Sequence, residues 1–451
     1  MSFIFEATRA GHTTNLTAYY DITRKEYLVW NGSQWIHHSE SQLKRRLRQA
    51  GISAKPSDGL LLSAADSEIL RVQDNCAVSY AGPLAGYNEG ITEQNGNRVL
   101  VTLSPQLLEP VKGGFDVLLK TIKAILDDPD QPAQLLHFFG WLQWAVAALR
   151  SGSLMPGQAL VMAGPVGCGK SLLQNLFTII FGGRSAKPYQ YMIGGTDFNS
   201  ELFAAEHLMI EDEAPSTDYR SRRKLGSFIK QITVNQDQRF HAKKRDALML
   251  KPFWRLSITL NDEPEDLHVL PPLDAGVEDK LIILRAFKRE LPMPATTRTD
   301  KKAFWETLLS EIPAFLYWLL NSYKIPDALT SDRFGIAHYH NPDLITSLHT
   351  TSNEAEFLSL VEAYVKLPYA GTAANLEKEL RQSAGRQADK LLFFAGAAGT
   401  YLARLSNLPN PQVIKQRSAT ENRWRIVTKG SLLFDPPSPP ISHSSGGGGT
   451  L

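Results

Sequence analysis

The stretch Gly164-Pro165-Val166-Gly167-Cys168-Gly169-Lys170-Ser171 constrains this chain more than any other. It follows a short apolar run, 158–163, that reads as a buried strand, and it precedes a helical run, 172–181. Glycine, four residues, then glycine-lysine-serine in that setting fixes a strand–loop–helix turn. The glycines let successive backbone N–H groups point inward, and the helix N-terminus adds partial positive charge at the same place. The result is a cradle for phosphate. Gly164 to Gly169 are therefore expected to wrap the phosphates of ATP. Lys170 would reach the β- and γ-phosphates, and Ser171 would hold Mg²⁺. Cys168 lies inside the loop, which predicts inhibition by thiol-modifying reagents.

From about 156 to 290, short β-prone runs alternate with helical stretches, the pattern of a parallel α/β sheet. Leu208-Met209-Ile210 runs into Glu211-Asp212-Glu213, about 40 residues after the phosphate loop. A strand that delivers carboxylates there suits Mg²⁺ coordination: Asp212 would support the metal and Glu213 would polarise the attacking water. Side chains alternate along a strand, so Glu211 and Glu213 share a face and Asp212 takes the other. A third strand, 253–260, ends at Asn261, whose amide can hold the lytic water or sense the γ-phosphate. Between the second and third strands, residues 228–245 read as short β runs around a cationic tip of Arg239, Lys243, Lys244 and Arg245, with Phe240 and His241 among them. Basic side chains neutralise phosphates and planar ones stack on bases. Arg239, His241, Lys243, Lys244 and Arg245 are the expected DNA-binding residues.

The chain has 451 residues and a net charge of +2, so it is no bulk polycation, and any nucleic-acid site must come from local clustering. Its two cysteines, Cys76 and Cys168, exclude a disulfide framework and fit a reducing compartment. The N-terminus lacks a signal-peptide core, and the apolar stretch 135–149 is too short to span a bilayer. A cytoplasmic protein of a bacterial or phage-infected cell, without membrane contact, is the expectation. Residues 1–110 read as a small α+β domain with a hairpin, Lys25 to Ile36, and a basic helix at 42–48 whose charged side is read as a solvated face. Residues 111–152 give two helices broken at Asp127-Asp128-Pro129-Asp130, the second rich in aromatic residues that suit a core or subunit interface. A long helix is expected over 301–324, a linker over 326–352, a small helical domain ending in strands over 353–430, and disorder over 431–451. Within that domain Thr372 to Leu380 and Ala388 to Leu405 are expected as single helices.

Together these elements resemble superfamily 3 helicases, above all the helicase parts of phage, plasmid and large-DNA-virus primase-helicases. Lys230-Gln231-Ile232-Thr233, Arg239-Phe240-His241-Ala242-Lys243-Lys244, Pro252-Phe253 and Thr259-Leu260-Asn261-Asp262-Glu263-Pro264 look like that family's B′ and C motifs in order and spacing. The likeness covers about 115–325, including a later helix with Glu311 and Trp318. It implies an AAA+ P-loop NTPase core over 153–325 with a helical collar before it, a homo-hexameric ring with ATP sites between subunits, and a hairpin that tracks single-stranded DNA in the pore. Carried over, Lys170 and Ser171 are the phosphate-loop residues, Asp212 and Glu213 the second motif, and Asn261 sensor 1. Lys243 or Lys244 is the hairpin-tip contact. Where the family places paired arginines, one serving as a finger in trans, this chain reads Asp279-Lys280-Leu281 with Arg285 further on, so Lys280 or Arg285 substitutes or hydrolysis is weak. The C-terminal module resembles a winged-helix domain with basic strands at Lys415, Arg417, Arg423 and Arg425; DNA contact and protein docking both remain open for it. The resemblance implies an ATP-dependent DNA helicase acting in replication of a phage, plasmid or mobile element. Its substrate would be single-stranded and forked DNA, beside a separate primase or polymerase. The alternative is a nucleotide-gated DNA loader or initiator without processive unwinding. The N-terminal domain is too short for a primase catalytic core, so primer synthesis is not expected.

Overall fold

The structure, a computed structural model, describes residues 4–9, 12–57, 59, 61–211, 219–241, 247–350, 353–407, 412–417 and 422–427. The chain divides into two compact units, Met1–Ile345 and Thr346–Leu451.

A six-stranded parallel sheet organises the first unit. Its strands are β1 (Ala159–Ala163), β2 (Ser185–Ala186), β3 (His207–Ile210), β4 (Arg255–Leu260), β5 (Leu281–Arg285) and β6 (Tyr339–His340), in the spatial order β2-β3-β4-β1-β5-β6. Every residue of β1, β3 and β4 is buried, as continuous apolar runs covered on both faces require. Around the sheet stand α1 (Asp116–Leu126), α2 (Ala133–Ser151), α3 (Lys170–Ile180), α4 (Tyr219–Val234) and α5 (Arg298–Asn321). The sheet and helix order is that of a P-loop NTPase core. The aromatic stripe of α2 is core: Phe138 and Trp141 are almost wholly buried, with Phe177 5.9 and 5.5 Å from their rings. The break between α1 and α2 falls at the expected aspartate-proline stretch.

Three expectations change. Residues 228–234 are helical, the end of α4, because their buried residues Leu225, Phe228 and Ile229 recur at helical spacing and outweigh the β-branched composition. The segment 326–352 is more than a linker: it supplies β6 on the sheet edge and a helix, Pro342–Thr350. The run 388–405 is two helices, Arg386–Leu391 and Ala397–Leu405, parted where Gly396 takes φ +77°.

The N-terminal part is a meander of strands Ile4–Arg9, His12–Asp21, Glu26–Trp30 and Trp35–His38 under helices Glu40–Gln49 and Ala64–Asn75. In the basic helix Leu43 and Leu47 point into the core, and Lys44 pairs with Asp66. A second small sheet, Tyr80–Gly82, Asn97–Val101 and Gly90–Gln94, leads on to the six-stranded sheet. The second unit holds helices Asn353–Tyr364 and Ala373–Ala384 and the two named above, with a three-stranded sheet of Tyr369–Thr372, Asn422–Ile426 and Val413–Arg417 in that order. Phe357, Leu376, Tyr401 and Trp424 form its core.

Candidate functional site

At the C-terminal end of β1 the chain turns at Gly164 and enters α3 through Gly167 (φ +73°) and Gly169 (φ +105°). Left-handed backbone of that kind is open to glycine at no steric cost. Gly164 is required for a second reason: a Cβ there would stand 2.2 Å from the carbonyl oxygen of Ala286. At Gly169 a Cβ would meet Ile125 at 2.6 Å, so α1 closes against the loop. Three expected nucleotide-binding residues are open to solvent: Val166, 69% exposed, Gly167, and Ser171 at the first turn of α3. Cys168 is buried in the core that includes Ile125 and Leu173, which removes the expected access for thiol reagents.

Lys170 is 8% exposed and folds back over its own loop. Its Nζ donates to the carbonyl oxygens of Gly164 and Pro165 (3.0 Å for the latter) and to Oδ1 of Asn261 at 3.4 Å. Among the described residues its partners are all neutral oxygens, and a phosphate satisfies a buried ammonium better. The structure thus brings together Lys170 and Asn261, 91 residues apart in the chain. β4 ends next to β1 with Leu260 opposite Ala163, which carries Asn261 to the mouth of the loop.

β3 lies one strand beyond β4, with Ile210 opposite Ile258. Glu211 leaves the strand bound to Lys187 at 2.6 Å, on the β2 side and away from β1. Asp212 and Glu213 lie outside the described residues. Gln174 of α3 joins the phosphate-loop helix to both strands. Its Nε2 donates to Ser257 Oγ at 2.9 Å and to Ile210 O at 3.3 Å, and its Oε1 accepts from Thr259 Oγ1 at 3.3 Å. Below it His207 is fully buried between Thr178 Oγ1 and Ser257 Oγ, each 2.8 Å away, and burial pushes its pKa down to about 3.

Lys280 and Arg285 stand at opposite ends of β5. Lys280 is 7% exposed at the start of the strand, bound to Asp279 at 2.5 Å; the other oxygen of Asp279 accepts from Arg333 at 3.1 Å. Arg285 ends the strand opposite Ala163, about one-third exposed and paired with Asp343. Lys288, three residues on, is exposed and brings its amine to 3.9 Å from where a Cβ on Gly167 would sit.

The cationic hairpin stands at the far end of β4. Strands Gln238–Phe240 and Leu248–Leu250 pair antiparallel, with Arg239 opposite Met249. Alternation turns Arg239 outward and buries Gln238 and Phe240. Phe240 packs edge-on against Tyr80 and Phe203, at 5.1 and 5.2 Å between rings. Asn199 clamps the outgoing strand: its Nδ2 donates to Arg239 O and its Oδ1 accepts from the His241 N–H, both at 2.7 Å. His241 also lies 5.6 Å from the exposed ring of Phe198. From the N-terminal part, Asn95 donates to Asp237 at 2.6 Å and Gln94 accepts from the Lys251 N–H at 2.8 Å. Lys243, Lys244 and Arg245 lie outside the described residues. Arg255, fully buried where β4 begins, donates to Trp254 O at 2.9 Å and Met155 O at 3.1 Å.

Gln174, Asn199, Lys288 and the Gln94-Asn95 turn gave no signal in the sequence. Each matters through a partner at least 36 residues away or across a turn of backbone, and no local pattern announces such a pair.

No family model matches the sequence, and none of the curated proteins is similar to it. Solved structures are. The apo structure of the NrS-1 C-terminal region, residues 305–718, aligns over 92% of this chain and 96% of its own, at 13% identity and TM-score 0.55. An A-form apo structure of that region covers 92% and 97%, at 13% identity and TM-score 0.53. A looser alignment, to the SCCmec type IV Cch helicase, has 11% identity and TM-score 0.31 over 90% of this chain and 76% of that one. At such identities the likeness is one of fold, and this chain shares the fold of the NrS-1 C-terminal region across nearly the whole of that region.

Proposed function

We propose that this chain is an ATP-driven DNA translocase and helicase of superfamily 3 type, built on an AAA+ core that acts as a ring. One observation carries this reading. β4 has Asn261 against Lys170 at one end and adjoins the cationic hairpin at the other. Six residues of extended chain span about 20 Å, and every residue of β4 is buried. A shift in Asn261 on loss of the γ-phosphate would therefore be passed along a stiff rod to a DNA-contacting loop.

Within the site, Lys170 would leave its loop carbonyls for the β- and γ-phosphates, and the backbone N–H groups of Gly164 to Gly169 would cradle the rest. Asn261, freed of Lys170, would orient the attacking water. Glu213 would take its proton. The Ser171 hydroxyl, exposed beside the loop, and Asp212 are the groups that would hold Mg²⁺. When bound, that ion neutralises charge developing on the phosphate oxygens. Both finger candidates are ion-paired, but Arg285 is about one-third exposed and has the planar head that action on a neighbour's site needs, whereas Lys280 is buried.

The second unit is proposed as a winged-helix domain. Its helices and three-stranded sheet support this, as do the exposed Lys415 and Arg423 on its closing strands. Replication of a phage, plasmid or other mobile element is the proposed setting.

Strand separation on a forked duplex tests the proposal. ATP-dependent unwinding by the full chain and none by Lys170→Ala is expected. Unwinding without ATP, or none with either tail polarity, would refute it. A loader or initiator role is the second reading. It predicts slow ATP turnover that single-stranded DNA does not raise, where a helicase predicts stimulation.

A further inference from the structure

Helix α4 presents a basic face beside the hairpin. Its sequence carries Arg222, Arg223, Lys224 and Lys230. Leu225, Phe228 and Ile229 are buried, while Arg223, Lys224 and Ser227 are exposed. Positions 224, 227 and 231 are three or four apart and so line one side of the helix. That side walls an open cleft of about 580 Å³, lined on its other side by Tyr191, Met192 and Gly194. The volume falls within the roughly 300–1,000 Å³ of ordinary ligand clefts. No acidic residue lines it among the described residues.

Two further details give the cleft a direction. The turn at Gly194 (φ +79°) lies close under the Lys224 amine: a Cβ there would come within 2.6 Å of Nζ, so the amine lies across the cleft from its own helix. Gln231, in the wall, donates through Nε2 to Gln238 Oε1 at 2.8 Å, and Gln238 begins the first hairpin strand. The cleft is thus joined directly to the hairpin. Tyr191 stands edge-on to Phe228, with ring centres 5.4 Å apart at 86°, which fixes its plane while leaving it partly exposed.

We propose that this cleft is a second single-stranded-DNA contact, next to the hairpin. Lys224 and Arg223 would neutralise backbone phosphate and Tyr191 would stack on a base. The proposal rests on the hairpin being a DNA contact. The occupant is a strand, not a folded duplex, because the cleft admits about one nucleotide and offers a ring rather than a groove-reading helix.

The test is fluorescence anisotropy of the full chain on labelled oligothymidylate over a salt series. Arg223→Gln with Lys224→Gln is expected to weaken binding about ten-fold and to reduce the logarithmic salt slope by about 1.4, at roughly 0.7 per phosphate contact on a single strand. Tyr191→Ala is expected to weaken binding several-fold and Tyr191→Phe to leave it unchanged. That pair decides the matter should the glutamine variant fail to show a wild-type thermal transition. Unchanged affinity and slope in the glutamine variant, with binding weakened by Arg239→Gln, overturns the cleft and leaves the hairpin standing. No salt-dependent binding by the wild-type chain overturns both.

Discussion

Lys170 shows how much one residue can reveal before a ligand is present. Its amine is buried on two loop carbonyls and an amide, a weak set of partners for a full charge. Such a group is poised for an anion. Replacing it with alanine removes the charge, and none of its partners among the described residues is an acid left unpaired, so folding should persist. Lys170→Ala is expected to lower ATP hydrolysis at least about 100-fold, by phosphate release, with a small change in thermal midpoint. Gly164→Ala should behave differently. Its Cβ cannot coexist with the Ala286 carbonyl, so both stability and binding should suffer, by about 2 kcal/mol or more in urea unfolding. Wild-type stability in that variant would show that the loop yields at little cost. Lys170, Gly164 and Asn261 were all legible in the sequence because a strand–loop–helix turn and a strand end are local patterns. Gln174 and Asn199 were not, because their roles exist only once β3, β4 and the hairpin have been brought to them.

At the scale of elements, side chains from distant segments complete what local sequence leaves unfinished. α1 begins at Phe115 with no side-chain cap of its own. Glu311 of α5 supplies one, accepting the Leu118 N–H at 2.6 Å and the Val117 N–H at 3.4 Å, and a carboxylate suits the positive helix end. Glu311→Ala is expected to cost about 1–2 kcal/mol in urea unfolding. Two buried histidines, His207 in the α3–β3–β4 seam and His340 on β6, should make stability depend on pH. Burial lowers the pKa of His207 from 6.5 to about 3 and that of His340 to about 4. Below pH 6.5 the unfolded chain therefore binds protons that the folded chain refuses. Stability is full above that value and falls as pH drops towards 4 and then 3, by up to about 1.4 kcal/mol per pH unit for each histidine. Urea midpoints at pH 7 and pH 5 measure the loss, and His207→Gln should reduce it, leaving the share of His340. An equal slope in that variant would assign the loss elsewhere.

For the whole molecule, assembly is the decisive question, since the proposed finger acts on a neighbour. In a ring each site pairs one subunit's loop with the next subunit's finger. Subunits carrying Lys170→Ala and subunits carrying Arg285→Ala should each be nearly inactive. An equal mixture should regain activity, with about a quarter of interfaces pairing an intact loop with an intact arginine. No recovery would remove Arg285 from that role. Among the described residues no helix is long and apolar enough to cross a membrane.

The sequence by itself determined the phosphate loop, the alternation that becomes a parallel sheet, the acid-tipped and amide-tipped strands, and the two helices before them, because each follows from spacing within a few turns of chain. Tertiary structure decided the rest. It made 228–234 helical, since Leu225, Phe228 and Ile229 gain more from one buried helix face than their neighbours gain from β geometry. It drew Tyr339–His340 out of an apparent linker onto the sheet edge, where β5 offers unpaired backbone groups. It also separated Lys280 from Arg285 by the length of a strand, burying one and leaving the other about one-third exposed, a distinction that five residues of sequence cannot carry.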